Sequence, residues 1–207
     1  MIALVDYGAG NLTSVTRALQ HIGEECAITR EHDVIRASDR VIFPGVGAAG
    51  KAMEVIRREG LDTVIRRVIA AGIPFLGICL GAQIILEESE EDGTTPCLGI
   101  IPGTAQRFQG PAIKIPHMGW NDVAVVRGHP VLAGVDERAQ FYFVHSYYPA
   151  PARAEDVIAT TVYGISFASI IGRGNVIATQ FHIEKSGEHG LRMLKNFCNW
   201  NGSVEIC

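Results

Sequence analysis

The chain has few cysteines, and they are spaced badly for pairing. Cys26, Cys79, Cys97, Cys198 and Cys207 are an odd number at wide, irregular intervals with no CxxC pair, which argues against both a disulfide framework and a zinc site. Long blocks of one charge are missing too. With 18 Lys and Arg against 22 Asp and Glu, a net charge of -4 and a pI near 6.0, the chain carries no electrostatic footprint for nucleic acid or an anionic membrane. The short acidic stretch Glu87-Glu88-Ser89-Glu90-Glu91-Asp92 reads as the solvated end of a helix rather than a metal site. No apolar run has membrane-spanning length, and Met1 to Asp6 shows neither a basic leader nor a signal-peptide core, so a cytosolic location is expected. Internal repeats and low-complexity linkers are also lacking. The 207 residues, 47% of them hydrophobic, are expected to form one domain over 1–207, with no cofactor and no metal.

What is present is an alternation. Apolar runs that end in glycine or a polar turn (Ile2 to Asp6, Cys26 to Arg30, Arg40 to Phe43, Phe75 to Ile78) alternate with helical patterns at Leu12 to Ile22, Ala52 to Arg58, Leu61 to Ala71 and Leu80 to Glu88. Such alternation predicts an α/β, three-layer fold around a central, mostly parallel sheet, with sites at the carboxyl ends of its strands. From about Gly99 the segments shorten. Ala112 to Ile115, Asp122 to Val126, Gln140 to Tyr148 and Val157 to Tyr163 have strand character, and Gly172-Arg173-Gly174-Asn175 joins Phe167–Ile171 to Val176–Phe181 as a hairpin. Antiparallel strands are therefore expected in the second half, closed by a helix from Glu188 to Trp200.

Cys79 alone has a chemical setting. In Phe75-Leu76-Gly77-Ile78-Cys79-Leu80-Gly81-Ala82-Gln83 a strand-like run meets a helix-like run at a cysteine with a glycine two residues to each side. A residue at the tip of a sharp strand-to-helix turn is forced outward, and the flanking glycines avoid clashes where the backbone folds back. A helix N-terminus there favours a thiolate and supplies amide donors for an oxyanion. The bland alternative is a buried packing cysteine at the end of a core strand, the role expected of Cys26 and Cys198.

Gln180-Phe181-His182-Ile183-Glu184 supplies possible companions. On an extended segment His182 and Glu184 share a face, so the carboxylate can orient the imidazole as the third member of a nucleophile, base and orienter set; metal ligation is the other meaning of such a pair. Gly45-Val46-Gly47-Ala48-Ala49-Gly50 matches the dinucleotide fingerprint in outline, but no acidic residue ends the following strand at the required distance. A flexible segment that turns an amide toward an oxyanion fits it better. Aromatics and polar groups mix in His117-Met118-Gly119-Trp120-Asn121 and in Phe141 to Tyr148, which suits an interface or a substrate edge. His21, His32, His129 and His189 are expected at the surface.

These segments, with Asp6-Tyr7-Gly8-Ala9-Gly10-Asn11-Leu12, Pro44-Gly45-Val46-Gly47 and Gln180 to Ser186, occur in the order found in the class I glutamine amidotransferases, which the chain resembles over nearly its whole length. Within that family, the HMGWN and PGVG elements resemble the glutaminase subunits that serve imidazole glycerol phosphate synthase. The resemblance implies a triad of Cys79, His182 and Glu184 that hydrolyses glutamine. It implies oxyanion donors at Val46, Gly47 and Leu80, and a glutamine site formed by Gly47, Gln83, Ser146 and Tyr147. A TIM-barrel cyclase is implied as heterodimeric partner, docking near Trp120, Asn121 and Lys185, with no nucleic acid or membrane involved. One departure stands out: the family usually has proline where this chain has Ile183, which restores an amide N–H and relaxes the backbone. Competing readings are another cysteine hydrolase on a related fold, a catalytically silent binding subunit, and a paralogue that feeds ammonia to a different synthase.

Overall fold

The computed structural model describes residues 1–8, 11–110 and 113–204. In chain order its elements are β1 (Ile2–Val5), α1 (Leu12–His21), β2 (Cys26–Thr29), α2 (His32–Arg36), β3 (Arg40–Gly45), α3 (Ala49–Arg58), α4 (Leu61–Ala70), β4 (Phe75–Cys79) and α5 (Leu80–Ile84). There follow β5 (Glu88–Ser89), β6 (Thr95–Pro96), β7 (Gly103–Arg107), β8 (His117–Asp122), β9 (Ala124–Val125), β10 (Gln140–His145), β11 (Tyr147–Pro151), β12 (Val157–Tyr163), β13 (Ile165–Arg173), β14 (Val176–Thr179) and α6 (Gly187–Asn199).

The main sheet has eight strands in the order β2-β1-β3-β4-β14-β13-β12-β9. The pairs from β2 through β14 are parallel, and β13, β12 and β9 are added antiparallel. Side chains alternate across it with the period of a strand. Ala3, Val5, Val41, Phe43, Phe75, Val176 and Ala178 enter one core with α2 to α5, while Ile2, Leu4, Ile42, Leu76, Ile78 and Ile177 enter a second core with α1, α6 and β10. Burial on both faces explains why these strands read as continuous apolar runs. Fully burying each large aliphatic or aromatic side chain stabilises the fold by about 1.5–3 kcal/mol before ordering costs.

Where sequence and structure differ, backbone partners account for it. The helix expected from Leu80 to Glu88 stops at Ile84, because the backbone beyond it pairs elsewhere: Leu98 N–H donates to Ile84 O (2.8 Å), and Glu87 N–H to Gly103 O (3.0 Å). The acidic stretch is thus a strand and turn rather than a helix end. Its carboxylates accept main-chain N–H groups, Glu87 from Gly103, Glu90 from Arg107 and Glu91 from Ala49. The strand expected at 112–115 instead begins at His117, after Pro116, which has no N–H to donate; Ala112 lies outside the described residues. His129 is buried rather than exposed, its Nδ1 accepting Val131 N–H (3.2 Å) and its ring edge on Trp200.

Candidate active site

Register brings the distant segments to one rim. Gly45 pairs with Cys79 across β3 and β4, and Thr179 pairs with Ile78 across β14 and β4. The residues that follow these strands, Val46-Gly47, Leu80 and Gln180 to His182, therefore emerge side by side at the carboxyl end of the sheet. They surround a cavity of about 320 Å³ lined by Val46, Gly47, Cys79, Leu80, Gln83 and Glu91, and closed opposite by Pro116, Val144 to Tyr147 and His182.

Cys79 sits at the tip of the turn with φ 54° and ψ -103°, a conformation sparsely populated by residues with a side chain. The glycines permit the fold-back. A Cβ on Gly81 would lie 2.6 Å from Phe43 O, and one on Gly77 2.8 Å from Gly81 O. The cysteine is 7% exposed and faces the cavity.

His182 and Glu184 meet, though by a different route from the one the sequence suggested. The segment is not extended: His182 precedes a 3-10 turn at Ile183–Lys185, and Glu184 Oε1 curls back to within 2.8 Å of His182 Nδ1. A carboxylate only accepts, so Nδ1 carries the proton and Nε2 is left for Cys79. Burial pulls the imidazolium down, but the hydrogen bonds to Cys79 and Glu184 and their charges outweigh it and lift the His182 pKa to about 10. Gly190 lets α6 support this turn, since a Cβ there would lie 2.1 Å from Ile183 O.

Sequence reasoning missed several residues of the site. Gln180, 0% exposed, donates from Nε2 to Cys79 Sγ (3.7 Å). Tyr7, stacked on Phe43 at 5.0 Å, bridges Val46: its hydroxyl accepts Val46 N–H (3.2 Å) and donates to Val46 O (3.3 Å). Burial pushes the Tyr7 phenol up to about 12. Behind the cavity wall runs an ordered chain in which His145 Nδ1 donates to Tyr147 O (2.7 Å), His117 Nδ1 donates to His145 Nε2 (3.0 Å) and Asn121 Nδ2 donates to His117 Nε2 (3.3 Å). The period-2 pattern of β8 and β10 marks these residues as inward-facing; their partners are invisible until the two strands pair.

The buried histidines give the fold an acid limit. Burial holds His117 and His129 down at about 4 and His145 at about 3. As pH falls below the ordinary value near 6.5, the unfolded chain takes up these protons first. The stabilisation is therefore complete above about pH 6.5 and is lost as pH falls toward 4. His182, shifted the other way, contributes fully below about 6.5 and loses its share as pH rises toward 10. Urea unfolding at pH 6.5 and pH 5 is expected to differ by up to about 2 kcal/mol per buried histidine; equal stabilities at the two values would contradict the neutral, hydrogen-bonded arrangement.

The family model of glutamine amidotransferase class-I matches residues 3–200. The chain belongs to the class-I glutamine amidotransferases. It is 49% identical over 208 residues to the imidazole glycerol phosphate synthase subunit HisH of Chloroflexus aurantiacus, covering 99% of this chain and 98% of that protein. It is 52% identical to the same-named subunits of Nitratidesulfovibrio vulgaris (95% of each chain) and Methylococcus capsulatus (96% of each). Among solved structures, a glutamine amidotransferase shares the fold at TM-score 0.73 and 21% identity, covering 98% of this chain and 100% of that one. PurLQS from Thermotoga maritima does so at TM-score 0.73 and 18% identity, over 96% and 97%.

In this amidotransferase Ile183 occupies the first position of the 3-10 turn, where its N–H makes no hydrogen bond to a described residue and where proline fits well. His182, at φ -80° and ψ 96°, is close to the conformation preferred before proline. The side chain has its own role, being 0% exposed in the core beneath α6. Ile183→Pro gains about 0.4–1 kcal/mol from a less flexible unfolded chain and loses a similar amount of aliphatic packing. Its stability is expected within about 1 kcal/mol of wild type, with glutamine turnover changed by only a small factor. A large fall in both, seen by thermal unfolding and rate, would mean that the turn depends on isoleucine.

Proposed function

We propose that the chain is the glutaminase subunit of an imidazole glycerol phosphate synthase, acting in the cytoplasm in histidine biosynthesis. On this reading the described fold forms one glutaminase domain, and a TIM-barrel cyclase is its heterodimeric partner. The observation that carries the chemistry is a cysteine at a strained elbow, facing a cavity of amino-acid size beside a histidine whose far nitrogen is held by a buried carboxylate. Near 50% identity over almost the whole chain to subunits of that synthase supports the assignment of the pathway.

The Cys79 thiolate attacks the carboxamide carbon of glutamine, and the carbonyl π pair moves onto oxygen. Leu80 N–H at the elbow and an amide of Val46 or Gly47 hold that oxyanion. As the carbonyl re-forms, the C–N bond breaks, and protonated His182 hands its Nε2 proton to the leaving nitrogen, which departs as ammonia. His182 then takes a proton from water, whose oxygen attacks the thioester; glutamate leaves and the thiolate returns. Glu184 fixes the imidazole orientation and favours its cationic form throughout. Gly47, Gln83, Ser146 and Tyr147 line the space for the amino-acid end of the substrate.

The docking edge for the cyclase is assigned to Trp120 and Lys185, with Asn121 behind Trp120 on the inward face of β8, its amide given to His117 and Val162 O. Trp120 (54% exposed) stands with exposed Met118 on the outer face of β8, and Lys185 adjoins Glu184, so a partner seated there would cover an apolar patch beside the site. An electrophilic ketone analogue of glutamine tests the assignment of the nucleophile. It is expected to label Cys79 and spare Cys26, Cys97 and Cys198, because burial pushes all three thiols up, Cys97 to about 11 and Cys198 to about 12. Preferential labelling of any of those three would sink the reading.

A further inference from the structure

We infer that Gln180 is a catalytic residue of this site: its carboxamide is the fixed hydrogen-bond donor that stabilises the Cys79 thiolate, and Gln83 aims it. The inference builds on the nucleophile assigned above. Gln180 is fully buried, and burying a carboxamide is costly unless its polar atoms are paired. Its Oε1 accepts from Gln83 Nε2 at 3.1 Å, and its Nε2 faces Cys79 Sγ at 3.7 Å. A neutral thiol is a weak acceptor for so deeply buried a donor, whereas a thiolate makes the bond charge-assisted. The position of Gln180 is therefore favourable when the sulfur is charged.

The orientation of the amide follows from its neighbour. Gln83 Nε2 spends both hydrogens, one on Tyr147 O (3.0 Å) and one on Gln180 Oε1. If Gln180 were flipped, two NH₂ groups would face each other and the sulfur would face an oxygen. The backbone is held as well, with Gln180 N–H donating to Ser169 O (2.9 Å) and Thr179 Oγ1 to Phe181 O (3.0 Å). Gln83 Oε1 accepts no hydrogen bond from a described residue, while Gln83 lines the cavity. A substrate ammonium donating to that oxygen would polarise the Gln83 amide, and through it the Gln180 amide, toward the sulfur. Recognition of the amino-acid end is thereby linked to the nucleophile through two side chains.

Two variants test this. Gln180→Glu keeps the shape and the acceptor that Gln83 needs but removes the donor; Gln180→Met removes donor and acceptor while keeping the length. Alkylation of Cys79 by iodoacetamide, followed on the full chain by mass spectrometry of the Cys79 peptide, is expected to slow about ten- to a hundredfold at pH 7 in both. The deficit should close as pH is raised and the thiolate forms without help. With glutamine and saturating cyclase, kcat should fall by a similar factor and KM by much less. An alkylation rate within twofold of wild type in a variant of unchanged thermal midpoint would overturn the inference, as would a deficit of equal size at every pH, which means blocked access. Because alkylation needs no substrate, it decides the role of Gln180 even if the wild-type complex proves unable to hydrolyse glutamine, the result that would defeat the functional reading instead.

Discussion

Cys79→Ala is expected to abolish glutamine-dependent turnover in the complex with the cyclase, by about 10⁴-fold or more, and to leave ammonium-dependent turnover at the wild-type level. The alanine removes only the sulfur from an elbow whose backbone is set by its neighbours: Gly77 and Gly81 pack against main chain, and Gly45 sits in register beside Cys79. The fold and the proposed docking edge should therefore persist, so the proposed cyclase partner continues to work when ammonia is supplied directly. Cys79→Ser is expected to behave alike, because a hydroxyl has no comparable anionic form near neutral pH for His182 and Gln180 to stabilise. If both glutamine- and ammonium-dependent rates vanished together, Cys79 would be a structural residue. If glutamine use survived, the nucleophile would lie elsewhere.

The parallel half of the fold was legible because β1, β3 and β4 are buried on both faces, and their apolar runs alternate with amphipathic helices; β14 showed only its hairpin with β13, not its parallel pairing with β4. Cys79 was legible for a local reason, the two glycines that the fold-back demands. Short elements were not. Two-residue strands such as β5 and β6 carry no period to detect, and the acidic stretch around β5 offered charge as its only cue, although its carboxylates are used locally as acceptors for N–H groups. His182 and Glu184 meet in a 3-10 turn rather than on an extended segment: proximity two residues apart arises in either conformation, so the sequence left the local backbone undetermined. Gln180 and Tyr7 could not be found by spacing. Each acts on a partner that only the sheet register brings near, about a hundred residues away for Gln180 and Cys79, and across β1 and β3 for Tyr7 and Val46.

That last contact governs the second large effect. Without its partner the chain is expected to hydrolyse glutamine about a hundred to a thousand times more slowly than in the saturated complex, the cost of one missing oxyanion donor, roughly 3–4 kcal/mol. Val46 N–H is already given to the Tyr7 hydroxyl, and Val46 O receives that hydroxyl's proton, so the peptides on both sides of Val46 are tied to a buried ring that stacks on Phe43. Freeing the amide requires those bonds to break, and a partner that binds the rim can supply the energy through contacts made only in the rearranged state. Tyr7→Phe keeps the stack and deletes the tie. Its isolated rate should rise toward that of the complex, while the rate in the complex stays close to wild type, so the activation ratio narrows. An isolated wild-type rate equal to that of the complex would dispose of gating altogether. A Tyr7→Phe chain that is stable but equally slow alone would place the gate at another bond, whereas equal losses with and without partner would make Tyr7 a support of the active geometry, because only a restraint on the resting state can be relieved by removing one hydroxyl.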